Sequence, residues 1–213
     1  MNRFIVVDLA MRSASTVPMV EALRPDFTVC FYCELLGDQC RVKECLFGRW
    51  TDSETGKNIF WWNFDKHNNC PVFLEGLNAP AVAEFMRRTG PAVKVDVQEI
   101  PIDRSPNAKF TRMKLLLTEI QAGHIRVDLT PGSAAFNLLS AQLRAFPRQF
   151  EGHDDFRDAL SLVPVVLQNP ASPVSSTAVN PEPPSWAGDP VGRSRWEEEH
   201  KQEPDDGYGS FSY

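Results

Sequence analysis

No apolar run in the 213 residues approaches the length of about 20 that a membrane-spanning helix needs; "FIVV" and "PVFL" are typical of the longest. The N-terminus has no basic stretch leading into an apolar one, so no secretory signal is expected and the setting inferred is soluble and intracellular. Histidine is scarce at four residues, and the five cysteines are odd in number. Cys30 and Cys33 in "CFYC" have zinc-knuckle spacing, yet four residues separate Cys40 from Cys45 and no second C-x-x-C or nearby histidine completes a ligand set. Reduced, structural thiols are expected, because buried free cysteine behaves as a small hydrophobe. No internal repeat is visible. There is no G-x-x-x-x-G-K-[ST] phosphate loop either, since "ETGKN" supplies only its Gly-Lys pair.

What is present is 42% hydrophobic residues, enough for one sizeable core, and a net charge of -6 that is unevenly spread. Residues 168–213 carry eight Asp or Glu against three Lys or Arg and hold seven of the 17 prolines. Such a stretch cannot bury enough surface to offset its ordering entropy, so the expected organisation is a folded domain over 1–167 and a disordered, acidic, Pro-rich tail over 168–213. Residues 87–148 are the reverse, with ten Lys or Arg against five Asp or Glu, a basic half suited to a polyanion.

"RFIVVDLA" reads as a central strand, apolar on both faces and ending on Asp8. "FTVCFYCELLGDQCRVKECLFG" reads as a hairpin turning at Gly37-Asp38, and "TDSETGKNIFWWNFDKHNN" as a helix in which Gly56 is out of place. "CPVFLEG" is a second strand ending on an acid, Glu75. "NAPAVAEFMRRTG" follows as a helix and "AVKVDVQEI" as an alternating strand. The next helix, "SPNAKFTRMKLLLTEIQAG", is expected to bury Phe110, Met113, Leu116, Leu117 and Ile120, to present Lys109, Arg112 and Lys114 on its other face, and to stop at Gly123. "HIRVDL" is a short edge strand, "GSAAFNLLSAQLRAF" a helix, and "DDFRDALSLVPVVL" the last one.

That last helix opens in "EGHDDFRDALSL" with more negative charge than capping needs. Asp154 and Asp155 lie four and three residues before Asp158, so the carboxylates share a face and repel unless something positive stands between them. Acids ending two strands and opening a late helix are what two-metal phosphodiester chemistry requires, with carboxylates from separate elements holding two ions about 4 Å apart. Hard oxygen donors point to Mg2+ or Mn2+, and to His153 as a capping or orienting residue.

The element order and the placing of these acids resemble the ribonuclease H-like nuclease superfamily, an α/β fold with a central mixed sheet flanked by helices. More closely, "LRAFPRQFEGHDDFRDALSL", "VVDLA", "PVFLEGLNAPAVAEFM" and "KFTRMKLLLTEIQAGHIRV" are similar to the nuclease domain of the large terminase subunit of tailed phages, over about residues 1–167. The resemblance implies a metal-dependent endonuclease that cuts double-stranded viral DNA during genome packaging, in the host cytoplasm. Asp8, Glu75 and Asp155 are its implied catalytic acids, with Asp154 and Asp158 as further candidate metal ligands. Among the three late aspartates Asp155 is the first choice and Asp154 the second. Lys109, Arg112, Lys114, Arg144 and Arg148 become candidate DNA contacts, since neutralising phosphates supplies most sequence-independent affinity. The missing phosphate loop implies a nuclease domain whose ATPase motor is carried elsewhere, and the implied partners are that ATPase, a small terminase and the portal or procapsid. The D-x-x-D-A-L spacing also resembles the Holliday-junction resolvases of the superfamily, which act as dimers on branched DNA. A non-catalytic assembly module working through its acidic tail is the alternative of another class.

Overall fold

The computed structural model describes residues 2–10, 26–90, 93–101, 105, 107–146 and 154–168. Arg148, His153 and the tail beyond Gln168 lie outside these residues. Along the chain run β1 (Asn2–Asp8), β2 (Thr28–Leu36), β3 (Gln39–Gly48), α1 (Asp52–His67), β4 (Val72–Glu75), α2 (Ala79–Thr89), β5 (Val97–Glu99), α3 (Ala108–Gln121), β6 (Ile125–Val127), α4 (Ala134–Ala145) and α5 (Asp155–Gln168). The strands form one mixed sheet in the order β5-β4-β1-β2-β3-β6. β1 pairs antiparallel with β2 and parallel with β4, so the first strand to be made lies near the middle. Among the described residues no helix is long and apolar enough to cross a membrane.

Alternation along the strands builds a core on each face of the sheet. Phe4 and Val6 of β1, with Val29, Phe31 and Phe73, pack beneath α3, α4 and α5. Ile5 and Val7, with Cys30, Tyr32, Val72 and Leu74, pack against α1 and α2. This two-sided burial is why "FIVV" is apolar without interruption. α5 is covered on nearly every side: Phe156, Ala159, Leu160, Leu162 and Val163 are all fully buried between the sheet, α3 and α4. The five cysteines are free, and all but Cys45 are buried.

Two sequence expectations are corrected here. Of the five apolar residues expected on the inner face of α3 only Met113 and Leu116 are buried; Phe110 is 43% exposed and lies against Phe146, with ring centroids 5.5 Å apart. A narrow stripe suffices because α3 packs chiefly along one helix, α5, and meets the sheet mainly at the edge strand β6. The alternation in "AVKVDVQEI" produces only the three-residue β5, an edge strand whose pairing extends from Val72↔Val97 to Leu74↔Glu99. Gly123, with φ of 79°, follows the α3 cap at Ala122 and turns the chain into β6.

The out-of-place Gly56 has a physical reason. Thr51 and Glu54 close a reciprocal capping box at the start of α1, the threonine N–H donating to Glu54 Oε2 at 2.8 Å, so the helix tolerates a weak former inside it. A Cβ on Gly56 would stand 2.6 Å from Phe85 Cβ and 3.0 Å from the Val82 carbonyl oxygen, so the missing side chain lets α1 and α2 touch. Gly56→Ala gains about 1 kcal/mol of helix propensity. Forcing the helices apart outweighs that, and a net loss of about 1–2 kcal/mol is expected in urea unfolding.

His67 closes α1 under Tyr32, its ring stacked at 3.8 Å, with Trp62 edge-on at 4.6 Å. Burial, then the charges of Lys66 and Arg3, push its pKa down to about 4. Between about pH 6.5 and 4 the unfolded chain binds a proton that the folded one refuses, so this contribution is complete above pH 6.5 and is lost as pH falls toward 4. The slope is at most roughly 1.4 kcal/mol per pH unit. His67→Phe keeps the stack and should flatten that part of the acid limb in thermal melts taken across this range.

Candidate functional site

β1 and β4 run side by side with Asp8 directly opposite Glu75. In the strand alternation both acids fall on the side of Phe4, Val6 and Phe73, which is the side covered by α3 and α5. They stand at the C-terminal ends of adjacent parallel strands, where α/β sheets open crevices for ligands. The ladder continues one step beyond them, the Leu9 N–H donating to the Glu75 carbonyl at 2.9 Å. The chain then turns at Gly76, φ 146°, where a Cβ would stand 2.7 Å from that of Leu9.

α5 brings the third wall. Its first turn is anchored by the Asp158 N–H donating to the Asp154 carbonyl and by the Arg157 N–H donating to Gln142 Oε1 at 2.8 Å. The three late aspartates then take different surroundings. Asp154, just before the helix, accepts from Arg157 Nη2 at 2.7 Å and has Lys109 Nζ at 4.0 Å. Asp155 accepts from the Phe27 N–H at 2.9 Å, tying α5 to the entry of β2. Asp158 is the buried one, 3% exposed, and is hydrogen-bonded to Lys109 Nζ through Oδ2. Its Oδ1 is buried with no partner among the described residues.

The positive charge demanded by the acidic turn is therefore supplied from within. Lys109 bonds Asp158, Arg112 bonds Glu75, and Arg157 bonds Asp154. Lys109 and Arg112 belong to the α3 face expected to point toward solvent; the Lys109 stem is exposed while its ammonium turns inward, and the Arg112 side chain is only 14% exposed. Lys114 and Arg144 are exposed, Lys114 with its ammonium over the Phe110 ring at 4.6 Å. Arg157 was not singled out from sequence, although its i,i+3 spacing from Asp154 was a usable signal.

Electrostatics mark Asp8 as the strained member. Desolvation pushes its carboxyl well above the ordinary range, the charges of Asp158, Glu75 and Asp155 push the same way, and Lys109 opposes them. Asp158 is likewise raised by burial, against the pull of Lys109. For Lys109, burial is overcome by the hydrogen bond and charge of Asp158, aided by Asp154 and Asp8, and its ammonium is held above its usual range.

A shared set of carboxylate oxygens, one of them buried and unpartnered, suits hard divalent ions such as Mg2+ or Mn2+. Among the described residues no three carboxylate, thiol or imidazole groups are gathered closely enough to hold an ion in the present arrangement. Lys109 and Arg112 occupy oxygens of Asp158 and Glu75 instead. Because ionised Asp8 is disfavoured in the fold, Asp8→Asn should stabilise the metal-free protein at pH 7 by roughly 1 kcal/mol. Melts in chelator would show a higher midpoint for the variant, the gap closing as pH falls through the raised Asp8 value.

No protein-family model matches the chain, and no curated protein matches it in sequence. Solved structures do. The large terminase nuclease from thermophilic phage G20c superposes with a TM-score of 0.52 at 18% identity, over 76% of this chain and 80% of that one. The human cytomegalovirus terminase nuclease domain, soaked with manganese and bound to an inhibitor, gives 0.53 at 11% identity over 78% and 83%. A large terminase from another thermophilic bacteriophage, in complex with ADP, gives 0.53 at 12%, with this chain matching 40% of its length. The mixed sheet with its flanking helices is thus the ribonuclease H-like fold of the terminase nuclease domains.

Proposed function

We propose that this chain is a divalent-metal-dependent endonuclease that cuts double-stranded DNA during viral genome packaging, acting in the host cytoplasm. The observation that carries this reading is the facing of Asp8 and Glu75, in register on adjacent parallel strands, by a buried Asp158 whose Oδ1 has no partner among the described residues. The manganese-soaked cytomegalovirus nuclease domain, alike in fold, supports the choice of ion. Asp8, Glu75 and Asp158 would hold the ions, with Asp154 and Asp155 on the rim. Two ions held there would supply the chemistry of a two-metal centre, activation of a water for attack at phosphorus and stabilisation of charge on the leaving 3′ oxygen.

The chain's own groups do the rest. Asp8 stands between β4 and α5, so its carboxylate is the one placed to serve both sides of the centre. Phe27 fixes Asp155, and through it the start of α5, against the sheet. Lys114 and Arg144 offer exposed charge for phosphates, and Arg148 is assigned the same role from the sequence. Backbone-directed contacts of this kind favour little sequence preference. Partners in the packaging reaction would be an ATPase motor domain or subunit, a small terminase and the portal or procapsid.

The test is cleavage of supercoiled plasmid and of four-way junctions in Mg2+ or Mn2+. Wild type is expected to linearise plasmid, with Asp8→Asn, Glu75→Gln and Asp158→Asn each slower by about two orders of magnitude or more. Asp155→Asn is the informative comparison, because its hydrogen bond to Phe27 places it at the edge of the centre and a smaller loss is expected. Preference for junctions would transfer the assignment to a resolvase. Absence of cleavage of either substrate would favour an assembly module, and cleavage that survives all four substitutions would overturn the assignment to these acids.

A further inference from the structure

Resting on the metal-binding reading above, we propose that Lys109 and Arg112 are resident counter-cations which divalent ions displace, so that loading the metal frees both side chains for DNA phosphates. The two lie three apart on α3 and so share a helix face, and each bonds a different carboxylate wall, Asp158 on α5 and Glu75 on β4. Neither pairing is complete. Among the described residues Asp158 keeps Oδ1 buried without a partner, and Arg112 has its Nε in the same condition. A buried polar atom left unmatched weakens the folded state that contains it, which biases the pairing toward exchange.

The two cations differ in how readily they can leave. The Lys109 side chain is 62% exposed with only its ammonium turned inward, so it swings out with little loss of burial. Arg112, at 14%, is packed in and follows less easily. While they are held by carboxylates they neutralise no phosphate; once displaced, Lys109 adds a free ammonium beside the carboxylates, at the end of an exposed side chain. Metal and DNA then favour one another's binding, and by linkage each raises the other's affinity by the same factor. Lys109 and Arg112 are in this sense positioning residues that set when the centre fills.

Calorimetric titration of Mn2+ into the whole chain without DNA separates the possibilities. Lys109→Gln and Arg112→Gln should each bind Mn2+ at least about fivefold tighter than wild type. Lys114→Gln, which removes the same charge from the same helix without touching a carboxylate, should change affinity much less. Equal or weaker binding by Lys109→Gln, or an equal gain in Lys114→Gln, overturns the exchange. If Arg112→Gln does not fold, the exposed Lys109→Gln decides alone. Wild type that takes up no Mn2+ overturns the metal reading itself, a distinct outcome. For the phosphate half, duplex binding is followed against salt concentration in chelator and in Ca2+. The gain in slope on adding Ca2+ should be smaller by about 0.9 in Lys109→Gln than in wild type. The same gain in both proteins overturns it.

Discussion

The structure turns on a group of carboxylates that burial forces together and only cations can keep together. Asp158 sits on a helix whose neighbours Phe156, Ala159, Leu160, Leu162 and Val163 are fully buried. The larger of these, Phe156, Leu160, Leu162 and Val163, each contribute about 1.5–3 kcal/mol, so the helix cannot withdraw to relieve repulsion at its acidic end. The sheet is equally committed, since Asp8 and Glu75 are held in register by β1 and β4. The remaining freedom is in the cations, and the fold supplies Lys109 and Arg112 from α3 and Arg157 from α5 itself.

That arrangement explains why the centre is a weak point of the fold. Asp8 remains raised by burial and by its like-charged neighbours even with Lys109 at hand. A centre designed only for stability would replace one acid by an amide or an apolar residue. Retaining the acids keeps carboxylates from β1, β4 and α5 on one side of the sheet, the exchange of stability for function that the proposed metal site would make. Gly76 shows the same priority in the backbone, where a positive φ and a close approach to Leu9 bring the strand ends together.

Much of this could be read in the residues, and the parts that could not have a common cause. Strand ends are visible because an apolar run stops, so Asp8 and Glu75 stood out. The helix and hairpin assignments followed from periodicity, capping and Gly37. Helix phase is harder. Three aspartates within five positions of α5 differ by which way the helix is turned, and that is decided by contacts distant in sequence: the Phe27 N–H for Asp155, 128 residues away, and Lys109 for Asp158, 49 away. α3 misled for the same reason. Its apolar residues suggest a broad inner face, whereas packing chiefly along α5 buries only Met113 and Leu116 of them and leaves its inward cations to the carboxylates.

At 18% and 11% identity, what the chain shares with these structures is the fold. Apolar side chains in two cores can be exchanged for others of similar volume with little loss, so most positions are free to drift. Carboxylates at the ends of two central parallel strands are not free in that way, because moving either by one residue turns it to the opposite face of the sheet and away from α5. The counter-cations are less constrained still. A lysine or arginine reaches a buried acid from several places on a neighbouring helix, and its long flexible stem makes the exact position unimportant. In this chain, then, the acids are the fixed part of the proposed centre, and the cations that neutralise it are the part that could be moved to another position on the same helix.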